Sequence, residues 1–395
     1  MSGAVLADLA TKASMQARHF DDPRVARLRQ TVRDHVEAEV LPQGEQWEAQ
    51  GTIPHPVYRR LGSLGLLGLC HPTEYGGTDL GPIGSVVFAE EISRCTFGGF
   101  AEAVLIHTDM SSTHIAHRGT AAQKHKYLRG MIRGDLICAI AVTEAEAGSD
   151  VAGMKTTARR TADGYVLNGT KTYITNALHG DVFIVAARTD PNAKSSRGIS
   201  LFVVERGNPG LTISPMAPKH GMRSSDVADL VFDEMQLPAE SLLGEENKGF
   251  YAIMQNFQNE RLVLGAMCLG MGSKAIEITL EHVKGRRAFG RSLWDLQATR
   301  HRLAGLAARM TAVGTLVHDT AVRVANGEDC VRQVCMVKAL AGETLQDVVR
   351  ACLQLHGGAG YMQGSAIERI GRDARLMTIG GGATEVMLDE IAKRL

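Results

Sequence analysis

Three things are missing from this sequence, and each absence removes a class of protein. Charge of one sign is missing: 43 Lys and Arg balance 43 Asp and Glu. No net field therefore favours nucleic acid or an anionic membrane surface. Paired cysteines are missing too. The seven, at 70, 95, 138, 268, 330, 335 and 352, include no C-x-x-C pair and have no matching histidine spacing, which argues for reduced thiols and against a disulfide framework or a metal site. Last, no run of 18 or more apolar residues occurs, and the opening "MSGAVLADLATKASMQARHF" has no secretory apolar core. Neither export nor membrane insertion is expected. With only Lys12 and Arg18 basic in that stretch, a bacterial cytoplasm is a better expectation than a mitochondrial matrix.

What remains is ordinary globular material of 395 residues, 44% apolar and 22% charged, enough for two or three domains with shared cores. Internal repeats and low-complexity segments are absent from the sequence. After a flexible N-terminal segment, 1–21, apolar residues recur at helical spacing over 22–135, as in "VARLRQTVRDHVEAEVLP". Over 136–243 the period shortens. Blocks such as "GYVLNGTKTYIT", "DVFIVAART" and "GISLFVVE" lie between Asp-Gly, Asn-Gly and "GNPG" turns, the pattern of a mostly antiparallel sheet. Over 244–395 long helical segments return. The fold class is therefore α+β: an N-terminal helical domain, a central β-domain and a C-terminal helical bundle. That bundle has length enough to bury a face against a second copy.

Two stretches invite a chemical reading. "AVTEAEAGSDV", Ala141 to Val151, passes from a strand to a Gly-Ser-Asp turn; in isolation it is a polar loop capped by Ser149 and Asp150. "NGTKTYITNA", Asn168 to Ala177, is an Asn-Gly turn leading into a strand with Tyr173 and Thr175 on one face and Ile174 on the other. That face offers an aromatic ring and a hydroxyl to a flat heterocycle, or is a plain sheet surface. A third stretch, "TIGGGATEV" at Thr378 to Val386, sets three glycines before a helix start, which suits either a phosphate cradle or a sharp turn.

Together with "SRGISLFVVE", "KHGMRSSD", "LGEENKGFYAIM", "NERLVL", "RRAFGRSLWDLQ" and "LQLHGGAGYM", these stretches resemble the acyl-CoA dehydrogenase family, in order from about Asp22 to Leu395. The resemblance implies FAD at the junction of the β-domain and the C-terminal helices, a homotetramer, and an electron-transfer flavoprotein as electron acceptor. It implies cofactor contacts from Ala141, Thr143, Gly148, Ser149, Tyr173 and Thr175. Arg286, Phe289 and Gln297 would meet the FAD of a neighbouring subunit, as would Gln354, Gly357 and Gly358, with Ala383, Thr384 and Glu385 completing the set. On residues alone, Arg286 reads as a solvated helix charge and His356 as a packing histidine without a catalytic role.

The activity implied is α,β-dehydrogenation of an acyl-CoA, which needs one carboxylate at the α-carbon. Many members carry it in the segment matching "IGGGATE", where this chain has Gly381. The segment "NKGFYAIMQNFQNERLVLGAM" offers a replacement. Its apolar stripe of Phe250, Ile253, Met254, Phe257, Leu264 and Met267 is interrupted by Glu260 and Arg261. By helix pattern alone this pair would turn to the edge of the stripe and meet solvent. Isovaleryl-CoA and long-chain members place their catalytic glutamate on this helix, so the resemblance makes Glu260 the base and Gly381 a backbone donor to the thioester oxygen. It also implies substrate contacts from Ser149, Ser196, Arg197, Tyr251, Gln258, Asn259, Arg261, Gly381 and Gly382, with Arg261 beside a nucleotide phosphate. His107 and Asp109 either polarise a functionalised chain or are ordinary interior polar groups, the second being favoured. The alternatives are a flavin oxidase or monooxygenase on the same fold, or a non-catalytic flavoprotein binding module.

Overall fold

The computed structural model describes residues 19–193 and 196–395. The expected N-terminal segment lies outside them up to residue 18; His19 and Phe20 are helical. Helix α1 (Pro23–His35) starts on an Asp22 cap, whose carboxylate accepts from Arg24 N, with Pro23 in the first turn. It continues through a wide π-turn (Val36–Val40) into α2 (Leu41–Gln50). Then come α3 (His55–Ser63), α4 (Gly81–Ile92) and α5 (Gly98–Leu105). A second π-turn, Ile106–Ser111, leads to α6 (Ser112–Arg118) and α7 (Ala121–Arg133).

The strands are β1 (Cys138–Ala141), β2 (Thr157–Arg160), β3 (Gly164–Thr175), β4 (Val182–Arg188), β5 (Ile199–Glu205), β6 (Leu211–Pro215), β7 (Val227–Pro238) and β8 (Leu242–Leu243). They form one sheet in the order β6-β7-β3-β2-β4-β5-β8, with β1 also on β4. Most neighbours are antiparallel, as the short turns between blocks require. The exceptions are β1 and β2, which both run parallel to β4. Each is separated from β4 by intervening chain long enough to reverse direction twice.

Helix α8 (Gly249–Gly285) is the longest element, at 37 residues, and is followed by the β9–β10 hairpin (Arg287–Ala288, Arg291–Ser292), α9 (Gln297–Ala325), α10 (Val331–His356), α11 (Gly358–Tyr361), α12 (Ala366–Asp373) and α13 (Thr384–Ala392). By length and composition α8 could cross a membrane, yet 72% of its most apolar window is buried inside the fold. It is a core helix, packed on α4, α9 and α10. At Gly270 a Cβ would stand 2.1 Å from the Glu90 carbonyl oxygen, so glycine sets how closely α8 meets α4. Six of the seven cysteines are buried, Cys70 is partly so, and all seven are free thiols.

One carboxylate joins the three regions. Asp373, at the end of α12, accepts from Gly98 N (2.9 Å) at the start of α5 and from Met222 N (2.6 Å) in the "KHGMRSSD" loop of the β-domain. Burial pushes its pKa up to about 6, while these two N–H groups pull the other way. The glycine triplet begins seven residues after this clasp. Asp373→Asn leaves one acceptor for two buried N–H groups, so a destabilisation of about 1–3 kcal/mol is expected. The check is a lower denaturant or thermal midpoint, with the docking of the regions followed by limited proteolysis.

Candidate functional site

Glu260 and Arg261 do not turn to solvent. On α8 their residues are 5% and 7% exposed, which overturns the edge placement that the helix pattern alone suggests. Burial pushes the Glu260 carboxyl up to about 8, partly opposed by a hydrogen bond from Asn256 Nδ2 to Oε1 (2.8 Å) and by the charge of Arg261. Arg261, expected beside a nucleotide phosphate, has these contacts within the chain. Its guanidinium lies 5.4 Å from the Phe257 ring and donates from Nη1 to Cys335 Sγ (3.6 Å), and its Nε has no partner among the described residues. Packing of α8 on α10 therefore takes the side chain inward, where its charge acts on Glu260.

The π-turn Ile106–Ser111 accounts for His107 and Asp109. His107 is fully buried and burial lowers its pKa to about 4. Its Nδ1 accepts from Cys138 N (3.0 Å), so Nε2 carries the proton and donates to Met131 O (3.1 Å). It is a neutral clip between the helical region and β1. The Asp109 side chain accepts from Thr108 Oγ1 (2.5 Å), while its main-chain oxygen receives Asn259 Nδ2 (3.2 Å). Both residues are interior polar groups with local partners.

The glycine triplet packs on α8. Gly381 has φ +66° and Gly382 φ +106°, conformations that side chains disfavour. A Cβ on Gly381 would stand 2.2 Å from Leu264 Cδ1, and one on Gly382 3.8 Å from Arg261 Nε. Leu264 lies one turn beyond Glu260 on the same helix face, so the triplet lies against the turn that carries the carboxylate. From α10, Lys338 donates to Gly382 O and so pins the triplet; burial lowers its ammonium to about 8. The helix that follows has Ala383 at its cap and Thr384 and Glu385 in the first turn, and Thr384 Oγ1 donates to Glu343 Oε1 (3.2 Å).

The β-domain supplies the second half. Ala141 ends β1, and the loop beyond it is held by a carboxylate that the sequence reading left without a role. Glu144 accepts from Lys155 N (2.6 Å), Thr156 N (3.0 Å) and Lys171 Nζ (2.7 Å). Burial alone would raise its pKa, but Lys171 and these donors outweigh it and hold the carboxyl below its ordinary value. Lys171 Nζ also donates to Val142 O (3.0 Å), and Thr172 N to Thr143 O (3.0 Å). The loop is thereby laid along β3. A bulge follows between Lys171 and Ile174, where Tyr173 takes φ +58° and stands 65% exposed while Ile174 is buried. Asn176, also missed by the sequence reading, joins this strand end to the helical region: Nδ2 donates to Ala103 O (2.8 Å) and Oδ1 accepts from Tyr58 Oη (3.1 Å). Ala103 and Asp109 lie six residues apart on the α5–π-turn segment, so the strand end and the Glu260 network are docked on one helix roughly 9 Å apart along its axis.

This strand end fits a flavin nucleotide. The Thr143, Ser149 and Thr175 hydroxyls are bonded to no other protein group among the described residues. Gly148 and Ser149 are exposed, and the Tyr173 ring is open. Neutral hydroxyls, free backbone and an aromatic face suit a heterocycle edge and a pyrophosphate. The other expected contacts lie elsewhere on the surface. Arg286, Phe289 (95% exposed), Gln297, Gln354, Gly357 and Gly358 are exposed. They belong to one end of the C-terminal helices, where the His282 and His356 rings stack at 4.1 Å. Tyr251 and Arg197 are exposed, and Ser196, Gln258 and Asn259 half-buried. Among the described residues none of these side chains hydrogen-bonds to Glu260, whose partner is Asn256.

A sheet domain between helical regions, a strand end whose groups suit a flavin and a buried carboxyl on a core helix point to a flavoprotein dehydrogenase. Comparison with known proteins is specific. Family models for the acyl-CoA dehydrogenase N-terminal, middle and C-terminal domains match residues 23–135, 139–235 and 247–395. The chain is 37% identical over 377 residues to the mouse (Mus musculus) mitochondrial long-chain specific acyl-CoA dehydrogenase, covering 93% of this chain and 85% of that one. It is 35% identical over 362 residues to mitochondrial isovaleryl-CoA dehydrogenase of Pongo abelii, covering 91% and 85%. A crystal structure of an acyl-CoA dehydrogenase from Geobacillus kaustophilus superposes with a TM-score of 0.90 at 37% identity, covering 94% and 98%. The chain belongs to the acyl-CoA dehydrogenase family, with the fold, FAD cofactor and acyl-CoA dehydrogenation of that family.

Lys171→Met would leave Glu144 buried without its cation, a change that costs about 3–5 kcal/mol in buried pairs. The purified variant is expected to be less stable and to carry less FAD, measured from the flavin-to-protein absorbance ratio. Pairing it with Glu144→Gln should recover part of both.

Proposed function

We propose that Glu260 is the base of this dehydrogenase and that the substrate is an acyl-CoA with a branched or long acyl chain. The observation that carries the assignment is the packing of Gly381 on Leu264, one turn from Glu260. A carboxylate on the triplet and one on α8 would converge on the same space, and this chain has only the second. Glu260 removes the α-proton and the product is the trans-2-enoyl thioester. FAD, when bound at the strand end that carries Thr143, Ser149 and Thr175, would supply the acceptor for the β-hydrogen as hydride. The Gly381 N–H serves as a donor to the thioester oxygen, a role that needs no side chain, and Lys338 holds the turn from which it comes.

A base on a helix leaves the triplet without side-chain volume, which favours tolerance of bulk near the α- to γ-carbons. Electrons pass to an electron-transfer flavoprotein, and the chain works as a homotetramer in the cytoplasm. Exposed Phe289, Tyr361 (88%) and Met362 (66%) support assembly, because apolar groups gathered at one end of the helices gain most from cover.

Anaerobic addition of isovaleryl-, octanoyl-, palmitoyl- and citronellyl-CoA should bleach the flavin to different extents, and Glu260→Gln should abolish all bleaching. Full activity in that variant would sink the assignment. Rapid reoxidation of the product-bound flavin by O₂ would place the chain with the oxidases instead. The base must be ionised, so kcat/KM should rise with pH and level off above about 8, the value to which burial pushes Glu260. The same shift sets the sign of its effect on stability. Between the ordinary glutamate value of 4.5 and about 8 the folded state binds the extra proton, so this group's contribution to stability falls as pH rises through that window. Glu260→Gln should therefore lose less thermal stability than the parent between pH 5 and 8. Moving the carboxylate back needs three changes: Gly381→Glu with Glu260→Gln should stay inactive until Leu264→Ala removes the 2.2 Å clash. Recovered bleaching would show that both positions reach one α-proton.

A further inference from the structure

One neutral side chain donates to the carboxylate on α8. Asn256 lies one turn before Glu260, is 5% exposed, and places Nδ2 2.8 Å from Glu260 Oε1. The same nitrogen is 3.2 Å from Met110 O and 3.4 Å from Asp109 O. Both oxygens belong to the π-turn Ile106–Ser111, a geometry that breaks the regular ladder and leaves carbonyls free for partners outside the helix. Carbonyl oxygens only accept, so they decide which end of the amide faces them. With one N–H spent on the turn, the other is directed at Glu260. Asn256 Oδ1 is then buried with no partner among the described residues. A flip would satisfy nothing better, because it would set that oxygen against two carbonyl oxygens.

We propose that Asn256 is a positioning residue for the dehydrogenation, locked by the π-turn so that it presents a donor, and only a donor, to the Glu260 carboxylate. The inference rests on Glu260 being the base. A donor favours the ionised oxygen over the protonated one, which would need an acceptor at the same place. Around Glu260 the other groups are few. Arg261 follows it on α8, with Cys335 and Lys338 of α10 on the far side of that guanidinium. From the helical region, the Asp109 main chain meets Asn256 and its carboxyl is turned towards Thr108 and, at 4.0 Å, Cys70 Sγ. Burial raises the pKa of Asp109 too, and the charges and hydrogen bonds that act on Glu260 are those of Arg261 and Asn256. The sequence neighbours of Asn256, Gln255 and Phe257, put no donor on Glu260.

The test is the pH profile of kcat/KM for the FAD-loaded enzyme with an acyl-CoA that bleaches it, in Asn256→Ala and the near-isosteric Asn256→Asp. In Asn256→Ala the ionisation limb should move alkaline by about one to two pH units, the usual worth of a hydrogen bond to a charged group. In Asn256→Asp it should move further, since a second carboxyl replaces the donor. On the alkaline plateau kcat and KM should stay close to the parent's. A merely structural residue would lower kcat/KM equally at every pH, and an unmoved limb in either variant overturns the proposal. FAD content and thermal midpoint are measured on both, and Asn256→Asp alone decides if the alanine variant does not fold. Glu260→Gln separates the two readings: full activity there removes the base assignment, whereas a dead Glu260→Gln with an unmoved limb removes only the role of Asn256.

Discussion

A carboxyl group buried on the inner face of one long helix sets the terms for the rest of this structure. Charge is costly in an apolar interior, and a group so placed keeps its proton unless its surroundings oppose that. Here the opposition is graded. Burial pushes Glu260 up to about 8, while the Asn256 amide and the Arg261 charge pull it back. In the proposed role as base, such a carboxyl ionises near working pH and is neither always charged nor never so. Arg261 serves this balance because its guanidinium is itself buried, with a sulfur and an aromatic ring for neighbours and no ion pair within 4.0 Å among the described residues.

The supports of that balance come from different parts of the chain. The π-turn belongs to the N-terminal helices, Asn256 to α8, and the triplet to the last segment, pinned by Lys338 from α10. These parts stay in register because of long-range clasps. Asp373 binds the helical region and the β-domain to α12 just before the triplet, and Asn176 ties the end of β3 to α5. The strand end that fits the flavin and the helix that carries Glu260 are thus docked on one segment, α5 and its π-turn. Catalytic geometry built on regular elements holds its distances better than geometry built on loops.

Periodicity made the order of helix, sheet and helix legible, since a change of period needs only local residues. Tyr173 was legible for the same reason, its exposed face following from alternation with Ile174. Glu260 was only half legible. The apolar stripe marked an interruption, but whether the pair faced the core or its edge depended on α10 and the triplet. The pairs that matter most were invisible: Glu144 with Lys171, Asp373 with Gly98 and Met222, Asn256 with the π-turn. Each joins residues far apart in sequence or depends on a helix irregularity. A local sign of the irregularity was there, in the polar run "HTDMSST" from His107 to Thr113 inside an apolar helix. Parallel pairing of β1 with β4 was hidden likewise, because pairing across a long excursion leaves no turn signal.

If Glu260 is the base, as proposed, the triplet shows that its place on α8 alters more than an address. A glutamate side chain at Gly381 would meet Leu264 Cδ1 at its first carbon, so filling the triplet would require the leucine tip beside Glu260 to move. Glycine there takes two left-handed turns that few other residues tolerate, and the segment keeps its shape through backbone contacts, above all Lys338 on Gly382 O. Such a turn can give main-chain N–H groups to a substrate oxygen while contributing no side chain to the space around the α-carbon. The vacancy in the triplet and the carboxylate on α8 are therefore two parts of one arrangement, in which the acid approaches from a rigid helix and the loop is left to bind.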